Sequence, residues 1–513
     1  MENLPIKFPQ DPYCRARSRL LLTSDEAQEN IFLGVTPDGV QPGRDMLARL
    51  SLWREEAALP YTFAQEQGML VLRCAGGCVR CAIALPDRLL IAGEGVSLLI
   101  GKGRALGMFM SGGSAVDDPL PGALYVNAVA RMRILPRVGT VEVRSAWDLN
   151  ALSDPDPRIF LHPDAQGRLE AEVCVTDFDA PPAEDALTPE AAAADTLADF
   201  TRFLEGLTIP AAGETALHAA YIAWSALQPV RALARPQISA PVFVANRRTR
   251  GTGLLSDNVL FAALLQDPAA ALAQLGSFLA YADESGLVPC AADNRSRLME
   301  SETPLFGVVY KARPELIPAT GAALYAAQKK AFGWWTRERW CPERKLFYYL
   351  HRFEPGCGRR QPFADPPPDF SPELNVCMRL WLDALAEIAD SLGYAEEAAA
   401  HRAQAQAVTE NLRARLWDAS RWRSMNILDQ FQAEDRGGGC MTALLPELAA
   451  LRPKTPERIP TALALPLLLA GDAETQARVA AQVRLSIRTP LSLRQALTVL
   501  AAEAVERGCP YAD

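Results

Sequence analysis

The sequence predicts a multidomain protein in which an N-terminal antiparallel β domain precedes a helical domain. Two patterns predict this class. Up to about residue 180 apolar residues alternate with a period of two, and from residue 189 they recur three and four positions apart. The length and composition agree with this class, because a chain of 513 residues of which 49% are hydrophobic can form more than one core and is not disordered.

Residues 1–180 are predicted to form the β domain. Short runs such as GMLVLR (68–73), VRCAIAL (79–85) and LEAEVCVT (169–176) alternate apolar and polar residues. Gly, Pro, Asp and Asn separate these runs, as turns between antiparallel strands require. The pattern therefore predicts an antiparallel sandwich or a barrel-like sheet.

A Pro- and acid-rich linker at residues 181–188 is predicted to precede a helical domain at 189–513. That domain contains about twelve helical candidates, from 189–207 to 492–507. In the candidate at 374–392, apolar residues share one stripe, which predicts packing in the core. The helix count alone fits both a toroid and a solenoid of helix pairs, but the sequence shows no repeat of fixed period, which disfavours the solenoid.

The charge and apolar patterns exclude some classes of partner. A net charge of −9 without a dense Lys/Arg run argues against a nucleic-acid-binding protein. The longest apolar stretch, 462–470, is too short for a bilayer span and contains Pro466. Charges and prolines near the N-terminus do not resemble a secretory signal, so a soluble cytoplasmic protein is expected. Eleven scattered cysteines fit reduced thiols.

One motif matches a metal-cluster spacing, Cys74-x3-Cys78-x2-Cys81, which radical S-adenosylmethionine enzymes use for an iron–sulfur cluster. Here it falls between two predicted strands, so small thiols beside a hairpin turn at Gly76–Gly77 are expected instead. The four histidines show no metal-binding spacing, and no nucleotide-binding or serine-hydrolase motif occurs. We therefore expect neither a metal nor a cofactor.

Two long loops in the helical part carry side chains typical of a carbohydrate site. Residues 248–258 contain two glycines and Asp257, and residues 348–372 are rich in Gly and Pro and contain Glu354, Asp365 and Asp369. Trp and Tyr residues lie in and just before it. Aromatic faces stack on sugar rings, and carboxylates hydrogen-bond hydroxyl groups or transfer protons. The loops therefore predict a sugar-binding end of the helical domain.

The same part carries short motifs in a characteristic order. Trp224 precedes GTGLLSDNVLFAALLQDP, GLVPCAADN, ETPLFGVVY, FGWWTRERW, HRFEPGCGRR and a SPELN helix start. This order resembles the six-hairpin (α/α)6 glycosidases, especially the trehalase-like group of glycoside hydrolase family 63, which includes mannosylglycerate hydrolases. Asp257, His351, Glu354 and Asn375 match family motif positions. The resemblance spans just over half the chain and implies an (α/α)6 toroid, behind a β-sandwich of the kind that recurs in such enzymes.

The resemblance also implies inverting hydrolysis of small glycosides, with a small carbohydrate as ligand. The candidate catalytic residues are Glu354, Asp257 and Asp365. The candidate substrate-binding residues are His351, Asn375, Trp335 and Tyr349.

Two departures from the family keep alternatives open. Gly358 stands where the family has its general acid, and the late segment that supplies the general base is not recognisable. Inverting hydrolysis needs two carboxyl groups, so others would have to substitute. The alternatives are a non-catalytic carbohydrate-binding relative and a sugar epimerase or lyase, which would need His351 or His218 as a base.

Overall fold

The structure is a computed structural model. It describes residues 1–18, 20–35, 48–102, 123–126, 130–144, 156, 158–176, 187–207, 213–225, 227–228, 242–243, 268–292, 297–298, 301–351, 354, 368–431, 438–451, 459, 461–486, 491 and 493–508. The chain divides into two compact units, which consist mainly of Met1–Glu205 and Thr252–Asp513. We describe each unit by itself.

The first unit contains two antiparallel sheets. Its strands are β1 (Tyr13–Cys14), β2 (Leu20–Ser24), β3 (Ile31–Val35), β4 (Ala48–Arg54), β5 (Ala57–Leu59), β6 (Thr62–Glu66), β7 (Met69–Cys74), β8 (Gly77–Ala84), β9 (Arg88–Glu94), β10 (Ser97–Lys102), β11 (Ala123–Val126), β12 (Ala130–Val138), β13 (Thr140–Arg144), β14 (Arg158–His162) and β15 (Arg168–Thr176). Within the described ranges, one sheet has the order β1-β2-β3-β4-β10-β14-β13, with β5 beside β4, and the other has the order β11-β12-β15-β9-β8-β7-β6.

The period of two in the sequence follows from this pairing. Leu52, Leu98 and Leu161 lie opposite one another on β4, β10 and β14, and all three are fully buried. Alternate residues point to the other face of the sheet, where Leu99 and Phe160 are also buried and Arg49 and Thr140 are exposed. Both faces of this sheet therefore supply buried residues.

The hairpin at the cysteine motif differs slightly from the sequence prediction. The turn is formed by Ala75 and Gly76, and Gly77 already belongs to β8, paired with Cys74. Gly76 has φ of +77°, a conformation that favours glycine. At Gly77 a Cβ atom would lie 2.5 Å from the carbonyl oxygen of Glu94, so the close strand contact requires glycine there too.

Helix α1 (Pro189–Glu205) belongs to the first unit. Its Ala192 and Ala193 pack with Met69 and Val71 in one buried cluster, and the Thr196 hydroxyl donates to the Ile83 carbonyl. The helix starts at a proline, and Thr188 Oγ1 accepts from the Ala191 N–H, which matches the usual start signals. The predicted linker lies mostly outside the described residues, so that boundary stays a prediction.

The remaining helices follow in chain order. They are α2 (Glu214–Ser225), α3 (Pro268–Leu279), α4 (Phe306–Ala312), α5 (Leu316–Ala319), α6 (Ala322–Glu338), α7 (Pro372–Ser391), α8 (Ala395–Leu416), α9 (Gly438–Met441), α10 (Thr461–Ala470), α11 (Ala473–Ser486) and α12 (Leu493–Glu506), with 3-10 turns at Thr442–Leu444 and Pro446–Leu451. Short strands are β16 (Leu227–Gln228), β17 (Val242–Phe243), β18 (Ala291–Ala292), β19 (Arg297–Leu298), β20 (Trp340–Cys341), β21 (Leu346–Phe347), β22 (Asp369–Phe370) and β23 (Met425–Asn426). The predicted helical candidate at 256–266 lies outside the described residues.

Helix α7 is central to the second unit. It packs along α8 and α4, and its apolar stripe is buried, with Leu374, Trp381 and Leu385 at or near zero exposure. The predicted core role of this stripe is confirmed. At the crossing with α4, a Cβ atom on Gly307 would lie 2.2 Å from the Trp381 backbone nitrogen, so the two helices touch through a glycine. In the described part of the chain, no helix is long and apolar enough to cross a bilayer.

Candidate functional site

A small cavity in the second unit collects several of the sequence motifs. Its volume is about 50 Å³, room for one or two water-sized groups. The residues that line it are Phe278, Gly286, Val288, Pro289, Cys290, Ser301, Glu302, Thr303, Pro304, Leu305, Phe306, Ala331, Trp335 and Trp381. Three motifs that lie apart in sequence, GLVPC, ETPLF and the second Trp of FGWW, therefore meet at one place.

The loop that carries the first motif is held against helix α6. Asp283 Oδ1 accepts hydrogen bonds from the Ser285 hydroxyl (2.6 Å) and the Leu287 N–H (3.0 Å). Gly286 has φ of +95°, and a Cβ atom there would lie 2.3 Å from the Lys330 carbonyl oxygen. A side chain would push the loop off the helix, so the glycine sets the position of residues 286–290 at the cavity.

Aromatic side chains form one wall of the cavity. The Phe306 ring lies 4.7 Å from the Trp381 ring and 6.1 Å, edge-on, from the Phe278 ring. Trp335 packs edge-on to Trp334 at 5.4 Å and is 5% exposed. Among the described residues, Trp335 is the one predicted substrate-binding residue that lines the cavity.

The polar side of the cavity comes from Ser301, Glu302 and Thr303. The Thr303 hydroxyl shares a 2.5 Å hydrogen bond with the hydroxyl of Tyr349. Glu302 is half-buried and is one of the residues that line the cavity. It was not predicted from the sequence, although it directly precedes the Thr-Pro-Leu segment that resembles a family motif.

Glu354 lies behind this polar side and is almost completely surrounded by donors. Its Oε1 accepts from the Ser301 hydroxyl at 2.5 Å and from Arg339 at 2.9 and 2.7 Å. Its Oε2 accepts from the N–H groups of Leu350 (2.6 Å) and His351 (3.0 Å). Five donors occupy its two oxygens, so no lone pair is left for a substrate hydroxyl. These contacts are those of a positioning residue, and a catalytic role for Glu354 is not supported by them.

Arg339 was also missed by the sequence analysis. Its guanidinium stacks over the Trp334 ring, 4.9 Å from the ring centre, while it binds Glu354. It therefore connects the end of helix α6 to the loop at residues 350–354. The sequence signal was weak, since an Arg four residues after a Trp-Trp pair has no distinctive spacing.

Three other predicted residues are placed as follows. Tyr349 is fully buried, and its backbone pairs with Asp369 through two hydrogen bonds of 2.8 and 2.9 Å. The fully buried Asn375 amide donates to the carbonyls of Phe347 and Ser371 and accepts from the Phe347 N–H. His351 is exposed. Tyr349 and Asn375 thus hold the framework around the cavity without lining it, and substrate binding by these three residues stays a prediction.

The remaining predicted positions lie outside the described residues. They are Asp257 and Asp365, which we expect to supply carboxylates, and Gly358, which occupies the family's acid position. Their predicted roles therefore stay predictions.

The cysteine motif of the first unit forms no common site. The Cys74 thiol donates to the Gly77 carbonyl across the turn. Cys81 is fully buried and lies four residues after Gly77 along β8. Burial raises the pKa of the Cys81 thiol to about 12, so that it stays protonated. Within the described ranges, no group of three His, Cys, Asp or Glu side chains is arranged to hold a metal ion.

Comparison with solved structures shows a common fold with glycosidases. A GH92 family glycosyl hydrolase is 13% identical with a TM-score of 0.54, over 97% of this chain and 86% of that chain. A family GH92 α-mannosidase from Bacteroides thetaiotaomicron, in complex with mannoimidazole, is 8% identical with a TM-score of 0.56, over 98% and 82%. A bacterial glucoamylase complexed with acarbose is 9% identical with a TM-score of 0.56, over 97% and 94%.

At these identities the likeness shows the fold alone. It confirms the predicted class, an N-terminal antiparallel β-sandwich followed by an (α/α)6 helical barrel. The predicted resemblance to (α/α)6 glycosidases is thereby confirmed at the level of fold, while family 63 in particular stays a prediction. No family model matches the chain, and no curated protein matches it.

Proposed function

We propose that the second unit binds a small carbohydrate at the cavity and acts on it as an inverting glycoside hydrolase. The observation that carries this proposal is the convergence of three motifs on one cavity with an aromatic wall and a carboxylate, Trp335 and Glu302. Aromatic faces and carboxylates are the groups that recognise sugar rings and hydroxyls. The fold shared with glycosidases supports the same reaction class, by analogy.

The size of the cavity limits what enters it. At about 50 Å³ it is several times smaller than the roughly 300 Å³ at which ligand pockets begin. We therefore place one substituent of the sugar, a hydroxyl or hydroxymethyl group, in the cavity beside Ser301 and Thr303. The ring itself would lie at the mouth of the cavity.

Hydrolysis requires a second carboxyl group. In an inverting enzyme one acid protonates the glycosidic oxygen as the C–O bond breaks, and one carboxylate takes a proton from the attacking water. We assign Glu302 to one of these roles and Asp257 or Asp365 to the other. Glu354 keeps the loop in place and takes no part in proton transfer.

A second function, carbohydrate binding without turnover, is favoured by two observations. Glu354, the predicted catalytic residue that the structure describes, is occupied by five donors. Gly358, at the family's acid position, cannot transfer a proton. An epimerase or lyase is less well supported, since neither His218 nor His351 is among the residues that line the described cavity.

The test is a screen of aryl α-glucosides, aryl α-mannosides and small α-linked disaccharides, chosen because the solved relatives are named as a glucoamylase and α-mannosidases. We expect product release by the wild type and a 100- to 10,000-fold lower kcat in Glu302→Gln. Asp257→Asn and Asp365→Asn identify the partner. Glu338→Gln, an exposed carboxylate on the same helix as Trp335, is the matched control.

The outcomes separate the two functions. A sugar-dependent rise in Tm without product would support binding alone. Absence of both product and stabilisation across the screen would contradict both. The cytoplasmic location stays a prediction.

A further inference from the structure

Helix α6 presents a second concave surface on the side opposite the cavity. Ala331 and Trp335 line the cavity, whereas a groove of about 500 Å³ lies over the other side of the helix. We call it the α6 groove. Its lining residues are Glu284, Ser285, Ala326, Lys329, Lys330, Gly333 and Arg337. The helical period of 3.6 explains this division, because residues 326, 330, 333 and 337 share one face and residues 331 and 335 lie on the other.

Three cations border the groove, and each has a hydrogen-bond acceptor; Lys329 also lies 5.3 Å from the centre of the Tyr325 ring, and Arg337 lies 3.9 Å from the Glu338 carboxylate. Lys330 Nζ donates to the Asp283 carbonyl at 2.9 Å, and Arg337 Nη2 donates to the Ser285 carbonyl at 2.6 Å. Lys329 Nζ donates to Glu397 at 2.7 Å. An ammonium has three N–H donors and a guanidinium has five, so each cation keeps further donors after its anchoring bond.

The floor of the groove is a glycine. Lys329, Gly333 and Arg337 are spaced four residues apart, so the two cationic residues start about 12 Å from each other along the helix. A Cβ atom on Gly333 would meet only Arg337 Nη1, at 3.7 Å. The missing side chain thus leaves open space between long cationic side chains that can reach toward each other.

The charge of the groove contrasts with that of the chain. The residues that line the groove carry three positive charges and one negative charge, that of Glu284, in a chain whose net charge is −9. Outside the lining, Glu397 binds Lys329 and the Glu338 carboxylate lies 3.9 Å from Arg337, so part of this positive charge is offset. A local excess of positive charge in a concave surface attracts small anions. Three cations on one helix are too few to follow a nucleic-acid backbone, so a small ligand fits better.

We propose that the α6 groove is a binding site for a phosphoryl group, either inorganic phosphate or a phosphorylated small carbohydrate. A phosphoryl group offers three acceptor oxygens, which match the remaining donors of Lys329, Lys330 and Arg337. The volume of the groove leaves room for a sugar attached to the phosphate. This inference does not depend on the proposed hydrolase function, because none of the residues that line the groove also lines the cavity.

Isothermal titration of the full chain with inorganic phosphate, against sodium chloride at equal ionic strength, tests the proposal. We expect saturable phosphate binding by the wild type. Lys330→Gln and Arg337→Gln should each weaken it at least tenfold, and Gly333→Glu should abolish it by placing a carboxylate on the floor. Arg402→Gln, an exposed arginine on α8, is the control and should bind like the wild type.

A second titration distinguishes the source of the phosphoryl group. If glucose 6-phosphate binds at least tenfold more tightly than phosphate, and added glucose does not change the ratio of the two affinities, the ligand is a phosphorylated carbohydrate. Equal affinities indicate free phosphate. Failure of the wild type to bind either compound beyond the chloride control would overturn the proposal, as would equal binding by wild type and the two glutamine variants. These results are independent of product release from glycosides.

Discussion

Arg339 donates two hydrogen bonds to one oxygen of Glu354, at 2.9 and 2.7 Å, and both side chains are nearly buried. This pair connects the end of helix α6, which carries Trp335, to the loop that begins at Leu350. The same Glu354 oxygen also accepts from Ser301, which lines the cavity. Glu354 therefore fixes two of the segments around the candidate site.

We predict that Glu354→Gln destabilises the protein by about 3 kcal/mol, because breaking a buried ion pair leaves Arg339 without its counter-charge. Chemical or thermal unfolding measures this loss. Glu338→Gln, which removes an exposed carboxylate close to the same arginine, should change stability by less than about 0.5 kcal/mol. A stable Glu354→Gln variant that has lost only turnover would instead restore Glu354 as a catalytic residue.

Asn375 is predicted to act as a clamp on strand β21. In Asn375→Ala the N–H and carbonyl of Phe347 lose their side-chain partners in the core, and we expect a loss of about 2–4 kcal/mol in unfolding free energy. Asn411→Ala on α8 removes a bond to the Ala407 carbonyl and a longer one from Arg415 at a half-buried position, and should cost less than about 1 kcal/mol. Similar losses in the two variants would argue against the clamp.

The contact between α4 and α7 depends on a glycine. Gly307→Ala would bring a methyl group to within 2.2 Å of the Trp381 backbone nitrogen, so we expect overpacking that costs at least about 1–3 kcal/mol. The matched control is Gly276→Ala in α3, where the added methyl meets nothing within 4 Å. Alanine should stabilise that helix by up to about 1 kcal/mol. Thermal melts should show a lower Tm for Gly307→Ala and a higher Tm for Gly276→Ala than for the wild type.

Asp383 on α7 is predicted to make stability depend on pH. Burial raises the pKa of Asp383 to about 6, against the opposing effect of Arg379, and Glu447 and Glu387 add to the rise. The unfolded carboxyl has a pKa near 3.9, so the native state holds the extra proton between about pH 4 and 6. This contribution favours the native state below that window and is lost as pH rises through it.

Asp383→Asn removes this dependence. We expect the difference in Tm, Asp383→Asn minus wild type, to increase as pH rises from 4.5 to 7.5. Asp390→Asn, an exposed carboxylate on the same helix, supplies the control for a simple change in charge. A Tm difference between Asp383→Asn and wild type that stays constant over this range would contradict the raised pKa.

The sequence predicted the class of fold because periodicity is a property of long segments. Strands such as β7 and β8, and helix α7 with its stripe through Trp381, keep their pattern over many residues. The turn lies one residue earlier than the sequence predicted, at Ala75 and Gly76. Two successive glycines allow either position, and only the contact of Gly77 with Glu94 decides between them.

The candidate site could be predicted only in part. Trp335 was found because aromatic residues near loops are typical of sugar sites. Glu302 and Arg339 were missed, since their roles depend on which segments meet in space. Glu354 and Asn375 were predicted as functional residues from motif positions, and the sequence did not show the hydrogen bonds that each makes within the protein. Their predicted roles stay predictions.

The central claim is that a small carbohydrate binds at the cavity beside Trp335 and Glu302. Isothermal titration with acarbose and with mannoimidazole, the ligands of two solved relatives, tests it most directly. We predict saturable binding of at least one ligand, weakened at least tenfold in Trp335→Phe and Glu302→Gln. It should be unchanged in Trp340→Phe, because Trp340 is not among the residues that line the described cavity. Binding of neither ligand, or equal binding by all three variants, would contradict the account.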